Sequence, residues 1–180
     1  MNAEHEVVER APVPDWWPAQ PLGRVALLTI ISLFVYTVVW LWRVTRALGT
    51  VWGRFRRPGW RTLGLFVPIY GLVVIWQVFD ETRKRLSEVG LRPVMPPWLF
   101  FILWFVGGAI CRVDNPIACL IGASIGLAAL LAAQHDVNRL FETRCPAGRR
   151  FAPWRAGDTA ITVVFGLIWL AAIVAGGGME

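Results

Sequence analysis

The chain is poor in the residues from which most soluble chemistry is built. Of its 18 basic residues, Lys84 alone is lysine and the rest are arginine. Two histidines, His5 and His135, stand far apart, so no imidazole-rich metal cluster is available. The three cysteines, Cys111, Cys119 and Cys145, show no Cys-x-x-Cys spacing, which argues against a zinc site and a disulfide framework. Charged residues make up 17% of the chain, against about 25% in an ordinary soluble domain. There is no His-Glu-x-x-His, Gly-x-Ser-x-Gly, P-loop or cytochrome attachment motif, and no cofactor is expected. Gly176-Gly177-Gly178 reads as a flexible exit from the last apolar run.

What the chain has instead is apolar length. Hydrophobic residues reach 56%, and they fall into five runs at 25–42, 62–79, 97–111, 116–133 and 159–175. At 1.5 Å per residue, a run of 17–18 residues covers about 26 Å, near the lower limit for a ~30 Å hydrocarbon core. The run 97–111 is shorter, and the polar turn Arg112-Val-Asp-Asn-Pro116 follows it. Residues 97–133 therefore read as a helical hairpin, or as a re-entrant loop followed by a span. The expected fold is an all-α, polytopic transmembrane bundle over 24–176 with four to five membrane-embedded segments. Residues 177–180 form a short C-terminal tail.

None of the five runs contains Asp, Glu, Lys, Arg or His. Burying one costs several kcal/mol and marks a pathway, so this lack argues against proton-coupled transport. Basic residues flank the runs. In 43–57, Val44, Leu48, Val51, Trp52 and Phe55 recur at helical spacing. Arg43, Arg46, Arg54, Arg56, Arg57 and Arg61 occupy this stretch and its edge, which suits an interfacial helix whose arginines snorkel to anionic lipid headgroups. Nucleic acid is not expected, since the clusters sit beside membrane runs. The 11 tryptophans fit an interfacial belt, though a GC-rich coding bias would also raise arginine and tryptophan together.

Residues 1–23 carry Glu4, Glu6, Glu9 and Asp15 against Arg10, with four prolines and the pair Trp16-Trp17. This is the charge of no signal peptide, and it reads as a mobile acidic tail touching the headgroup layer. Positive-inside counting gives conflicting orientations. Five full spans leave one Arg-rich loop outside, whereas a re-entrant 97–111 puts both on the cytoplasmic side.

Three constellations stand out. Gln134, His135, Asp136, Asn138 and Arg139 form a polar patch directly after the fourth run, with Gln134 and Asn138 on one helix face. It reads as the place where a helix leaves the bilayer, or as a proton relay or headgroup site. Ala118, Gly122 and Gly126 form a small-residue stripe for close helix packing, against this chain or a second protein. Pro68 and Gly71 interrupt the second run and suggest a kink.

The segment Leu28-Thr-Ile-Ile-Ser-Leu-Phe-Val-Tyr-Thr-Val-Val-Trp-Leu-Trp42 resembles a family of small prokaryotic integral membrane proteins of unknown function. There a first span carrying Thr, Tyr and Trp in this order runs into a basic helix. Pro68-Ile-Tyr70 through Trp76, and Gln134 with Asn138-Arg139, are similar too, so the resemblance covers roughly 25–142. It implies membership and a membrane location without an activity. The expected role is a non-catalytic interaction or accessory subunit of the cell membrane, with a membrane-protein partner or a second copy of itself. The alternative is a small-solute or lipid transporter using a kinked second helix and the 134–139 patch. A third reading is a membrane enzyme with His135 and Asp136 as acid–base groups.

Overall fold

A computed structural model describes residues 17–33, 35–53, 59, 67–144 and 151–176, with the backbone alone at 68, 69 and 172–176. Among them lie six helices and no strand: α1 (Leu22–Ile31), α2 (Tyr36–Trp52), α3 (Pro68–Glu88), α4 (Pro97–Ile110), α5 (Pro116–Glu142) and α6 (Ala156–Gly176). The chain is all-α. By length and composition, α5 is the one helix among the described residues that is long and apolar enough to cross a bilayer.

Local chemistry places most helix starts. Proline stands at the first helical position of α3, α4 and α5, where its missing N–H costs nothing. The Asn115 side chain caps α5 by accepting from the N–H groups of Ile117 and Ala118, at 2.8 and 3.2 Å. Gly53, at φ +67°, stops α2 in the left-handed conformation that ends many helices. Pro68 therefore opens α3 within the run 62–79, after an extended Val67, and does not kink a helix already under way.

The run 25–42 also departs from expectation. It does not form one helix. α1 stops after Ile31, Leu33 takes a left-handed φ of +49°, and α2 begins at Tyr36. Ser32 holds the turn: its Oγ accepts from Tyr36 N at 2.8 Å, and its carbonyl accepts from Val35 N at 3.0 Å. The two helices fold back on each other. At their far ends, Trp17 and Trp52 both stand edge-on to Phe141.

α4 and α5 form a second antiparallel hairpin, and glycine sets its spacing. A Cβ on Gly107 would lie 2.7 Å from the Gly122 carbonyl oxygen, and one on Gly122 would run into Gly107 and Cys111. The stripe thus packs within this chain: Gly122 and Gly126 are buried against α4, while Ala118 is half-buried at its edge. Backbones this close gain van der Waals contact that longer side chains would prevent.

Both hairpin turns point to the same end of the bundle. At the other end lie residues 17–21, Gly53, 88–96, 143–144 and 151–155. Large apolar side chains remain exposed towards the tip end, including Ile102, Phe105, Leu120, Leu167 and Ile168. The buried core lies nearer the opposite end, around Leu28, Trp40, Leu48, Leu86, Leu130, Leu140 and Phe141.

Gly108 gives an internal control for the glycine contact, because a Cβ there meets nothing within 4 Å. Gly107→Ala should lower stability by about 1–3 kcal/mol through overpacking. Gly108→Ala should be neutral, or stabilising by up to ~1 kcal/mol. Paired thermal-unfolding curves in detergent test this; equal midpoints for the two variants would contradict it.

Candidate functional site

The most concentrated chemistry is a buried polar network beside the N-terminus of α6. Arg155 precedes that helix, and Asp158 in its first turn accepts from the Arg155 N–H at 3.1 Å, closing the helix end as a capping carboxylate does. The same carboxylate is fully buried and pairs with two guanidiniums. Arg43 Nη2 donates to Oδ1 at 2.7 Å, and Arg24 Nη2 donates to Oδ2. Arg24 also donates to the carbonyls of Ala152 and Pro153, at 2.7 and 2.9 Å, and its guanidinium lies 4.9 Å from the Trp154 ring centre. One carboxylate thereby joins α1, α2 and α6.

From Arg43 the network runs on to α5. Arg43 Nη1 donates to the Tyr36 hydroxyl at 3.0 Å, and that hydroxyl donates to Gln20 Oε1 at 2.7 Å. Asn138 pairs with the Gln20 backbone in both directions, accepting from its N–H at 2.9 Å and donating to its carbonyl at 2.8 Å. Gln134 donates to Asn138 Oδ1 at 2.6 Å and to the Pro18 carbonyl at 3.3 Å, and accepts from the Trp40 indole N–H. Arg155 takes the Trp17 carbonyl at 3.0 Å, and Ala152 N the Ala19 carbonyl at 2.8 Å. Every carbonyl from Trp17 to Pro21 is therefore bonded, the last by the start of α1.

On its other side α5 holds the proline-rich segment 92–96. Both Asp136 oxygens accept from Val94 N at 3.0 Å. Arg139 donates to the Arg92 carbonyl at 2.8 Å and stands 4.0 Å from Asp136. His135 is half-buried on the adjacent face. A partly open cavity of about 20 Å³, room for about one water, adjoins Asp136, Thr82 and Trp40.

Several expectations need correction here. Gln134, Asp136 and Asn138 are at most 5% exposed, so these three side chains face the interior of the bundle, while His135 and Arg139 stay half-buried. The three are drawn inward by backbone groups that have no regular partner. Arg43 is likewise buried and ion-paired, because a guanidinium gains more from Asp158 than from the surface. Arg46 is exposed, 5.4 Å from the Trp42 ring centre. Arg54, Arg56, Arg57 and Arg61 lie outside the described residues. Trp17 to Gly23 do not belong to a mobile tail: Trp17 is 7% exposed on Phe141, and Gln20 is 1% exposed.

Sequence reading passed over Asp158, Arg24, Gln20 and Arg155. One signal was available: Asp158 is the single acidic residue between Glu142 and Glu180. Among the described residues, no three His, Cys, Asp or Glu side chains group as a metal site.

A second feature is an open groove of about 280 Å³ between α2, α3 and α4, lined by Val38, Leu41, Leu72, Ile75, Phe79 and Trp104 among others. Its walls are almost wholly apolar, with Thr37 the polar exception.

Comparison with family models, with curated proteins and with solved structures finds no match.

Removing the central carboxylate leaves two buried cations unopposed. Asp158→Asn should cost about 3–5 kcal/mol, whereas Asp158→Leu combined with Arg24→Met and Arg43→Met should recover most of that loss. Unfolding midpoints in detergent provide the measurement. A triple variant as damaged as Asp158→Asn would show that the network's charge is not what the loss reflects.

Proposed function

We propose that this chain is a multi-pass protein of the cell membrane, acting as a non-catalytic interaction or accessory subunit that contacts anionic lipid. The observation that carries the reading is the separation of charge along the bundle. Of the described basic residues, Arg112 alone lies at the tip end; Arg46, Arg83, Arg85, Arg92, Arg139 and Arg144 are among those towards the other. Positive charge collects on the cytoplasmic side of membrane proteins, so the basic end faces the cytoplasm. Because the described arginines of 43–52, of 135–144 and at 155 lie towards that end, none of these stretches has to be exported.

The exposed apolar side chains towards the tip end supply the surface that hydrocarbon covers. Hairpin α4–α5 carries Arg112 and Asp114 exposed at its turn and so reaches water on the far side. The turn between α1 and α2 bears no charge, and α1 is only about 15 Å long. That hairpin is the re-entrant one, with its turn inside the bilayer; 97–111 belongs to a crossing hairpin. At the basic end, Trp52 stands 5.7 Å from Arg85 and 5.2 Å from Arg144, a pairing suited to the headgroup layer. The groove between α2, α3 and α4 offers an apolar slot to an acyl chain. The polar side chains of α5 are spent on the chain's own backbone, which favours a scaffold over turnover at His135 and Asp136. The family resemblance of 25–142 is part of this proposal and agrees with it.

Two measurements test the reading. In a variant lacking native cysteines, Val113→Cys should react with a membrane-impermeant maleimide in intact cells, and Ser87→Cys only after permeabilisation; the reverse pattern would sink the orientation. Mild extraction with a membrane-scaffold polymer should retain a second polypeptide and anionic lipid. A lone monomer with zwitterionic lipid would contradict the accessory role.

A further inference from the structure

The turn of hairpin α4–α5 holds two cysteines that the rest of the bundle does not use. Cys111 is the residue at which α4 ends, and Cys119 lies in the first turn of α5. Their spacing in sequence suggests no pairing, yet the hairpin brings them together. Gly107 on α4 faces Gly122 on α5. One turn towards the tip from that contact the antiparallel register brings Cys111 beside Cys119, which lies three residues before Gly122 on α5. Cys111 Sγ lies 3.3 Å from the Cys119 carbonyl oxygen. Helices held apart only by glycine leave their backbones within the range a disulfide spans. Cys111 is half-buried and Cys119 exposed, so an oxidant can reach them, and Cys111 sits where the helix ends, free to adjust its backbone.

We infer that Cys111 and Cys119 form an intramolecular disulfide that staples the α4–α5 turn. In cells this rests on the orientation proposed above, which sets the turn outside the cytoplasm, where disulfides persist. The oxidant is a disulfide donor, either a thiol–disulfide oxidoreductase or a small-molecule disulfide. One cysteine, as thiolate, attacks a donor sulfur and expels the first donor thiolate, giving a mixed disulfide. The second cysteine attacks the protein sulfur of that bond and expels the other donor thiolate. Two protein thiols are oxidised, the donor disulfide is reduced to two thiols, and the protein's protons pass to the departing thiolates. The staple acts where the hairpin has least side-chain packing to hold it, at the end beyond its glycine contact.

Trypsin supplies the readout, because it cuts after Arg112, between the two cysteines, and Pro93 blocks cleavage after Arg92. The full chain would be alkylated with N-ethylmaleimide in its native membranes, extracted and digested without reduction. The expected product joins Leu86–Arg112 to Val113–Arg139, is lighter by two hydrogen atoms than the separate peptides, and separates on reduction. Cys119→Ser should lose it and leave Cys111 alkylated. Purified, reduced protein treated with oxidised glutathione should form the same product and remain a monomer on a non-reducing gel.

Failure to close in the purified protein, or closure only between two chains, overturns the pairing. Closure after purification with both thiols fully alkylated in cells overturns the staple in cells together with the orientation, and leaves only the geometry standing.

Discussion

A single carboxylate, Asp158, fixes how three helices of this chain meet. Buried charge is costly, and an arginine gives up several kcal/mol of hydration when it leaves water. Two arginines on one buried aspartate are tolerable where their remaining terminal N–H groups find partners too, and here they do, although the Nε of each stays buried without one. Arg24 is answered by the carbonyls of Ala152 and Pro153, and Arg43 by the hydroxyl of Tyr36. Such a set of partners exists in one arrangement of α1, α2 and α6. The cluster is therefore less a source of stability than a selector of geometry, because any other packing strands a charge.

The same economy explains α5. The segments 17–21 and 92–97 hold Pro18, Pro21, Pro93, Pro96 and Pro97, which lack the N–H groups that regular structure requires. Their carbonyls and remaining N–H groups still need partners once buried. Gln134, Asp136, Asn138 and Arg139 supply them by reaching to both sides of one helix. A polar patch that could pass for a relay is thus bound up with backbone. Asn138 is the clearest case, since its amide mimics a peptide group and pairs with Gln20 as a neighbouring strand would.

Features governed by local chemistry were legible in the sequence. The all-α class, the polar turn at 112–116 and the small-residue stripe depend on residues close together along the chain, whereas Pro68 opens a helix from the middle of an apolar run that suggested only a kink. The break at 32–35 was not legible. Ser32-Leu-Phe-Val35 has no glycine or proline, and Leu33 takes a conformation that costs a non-glycine residue about 1–2 kcal/mol. What outweighs that cost lies far away in sequence: folding back brings Arg24 and Arg43 onto Asp158, over a hundred residues on. For the same reason Arg43 read as interfacial. Its five neighbouring arginines fit a surface, and nothing local distinguishes the one with a buried partner.

The folded-back first run also explains why counting positive charge along the sequence gave no consistent orientation. Counting assumes that each apolar run reverses the side of the chain, so treating 25–42 as a span puts Arg24 and Arg43 on opposite sides. In the fold, these two arginines share one carboxylate and must lie at the same depth. A span between them would be incompatible with that contact. Once the run is a hairpin, the charges on either side of it add together, and the two described arginine-rich stretches no longer compete. The ion pair that selects the packing of α1, α2 and α6 is thus also what sets the basic residues on one side.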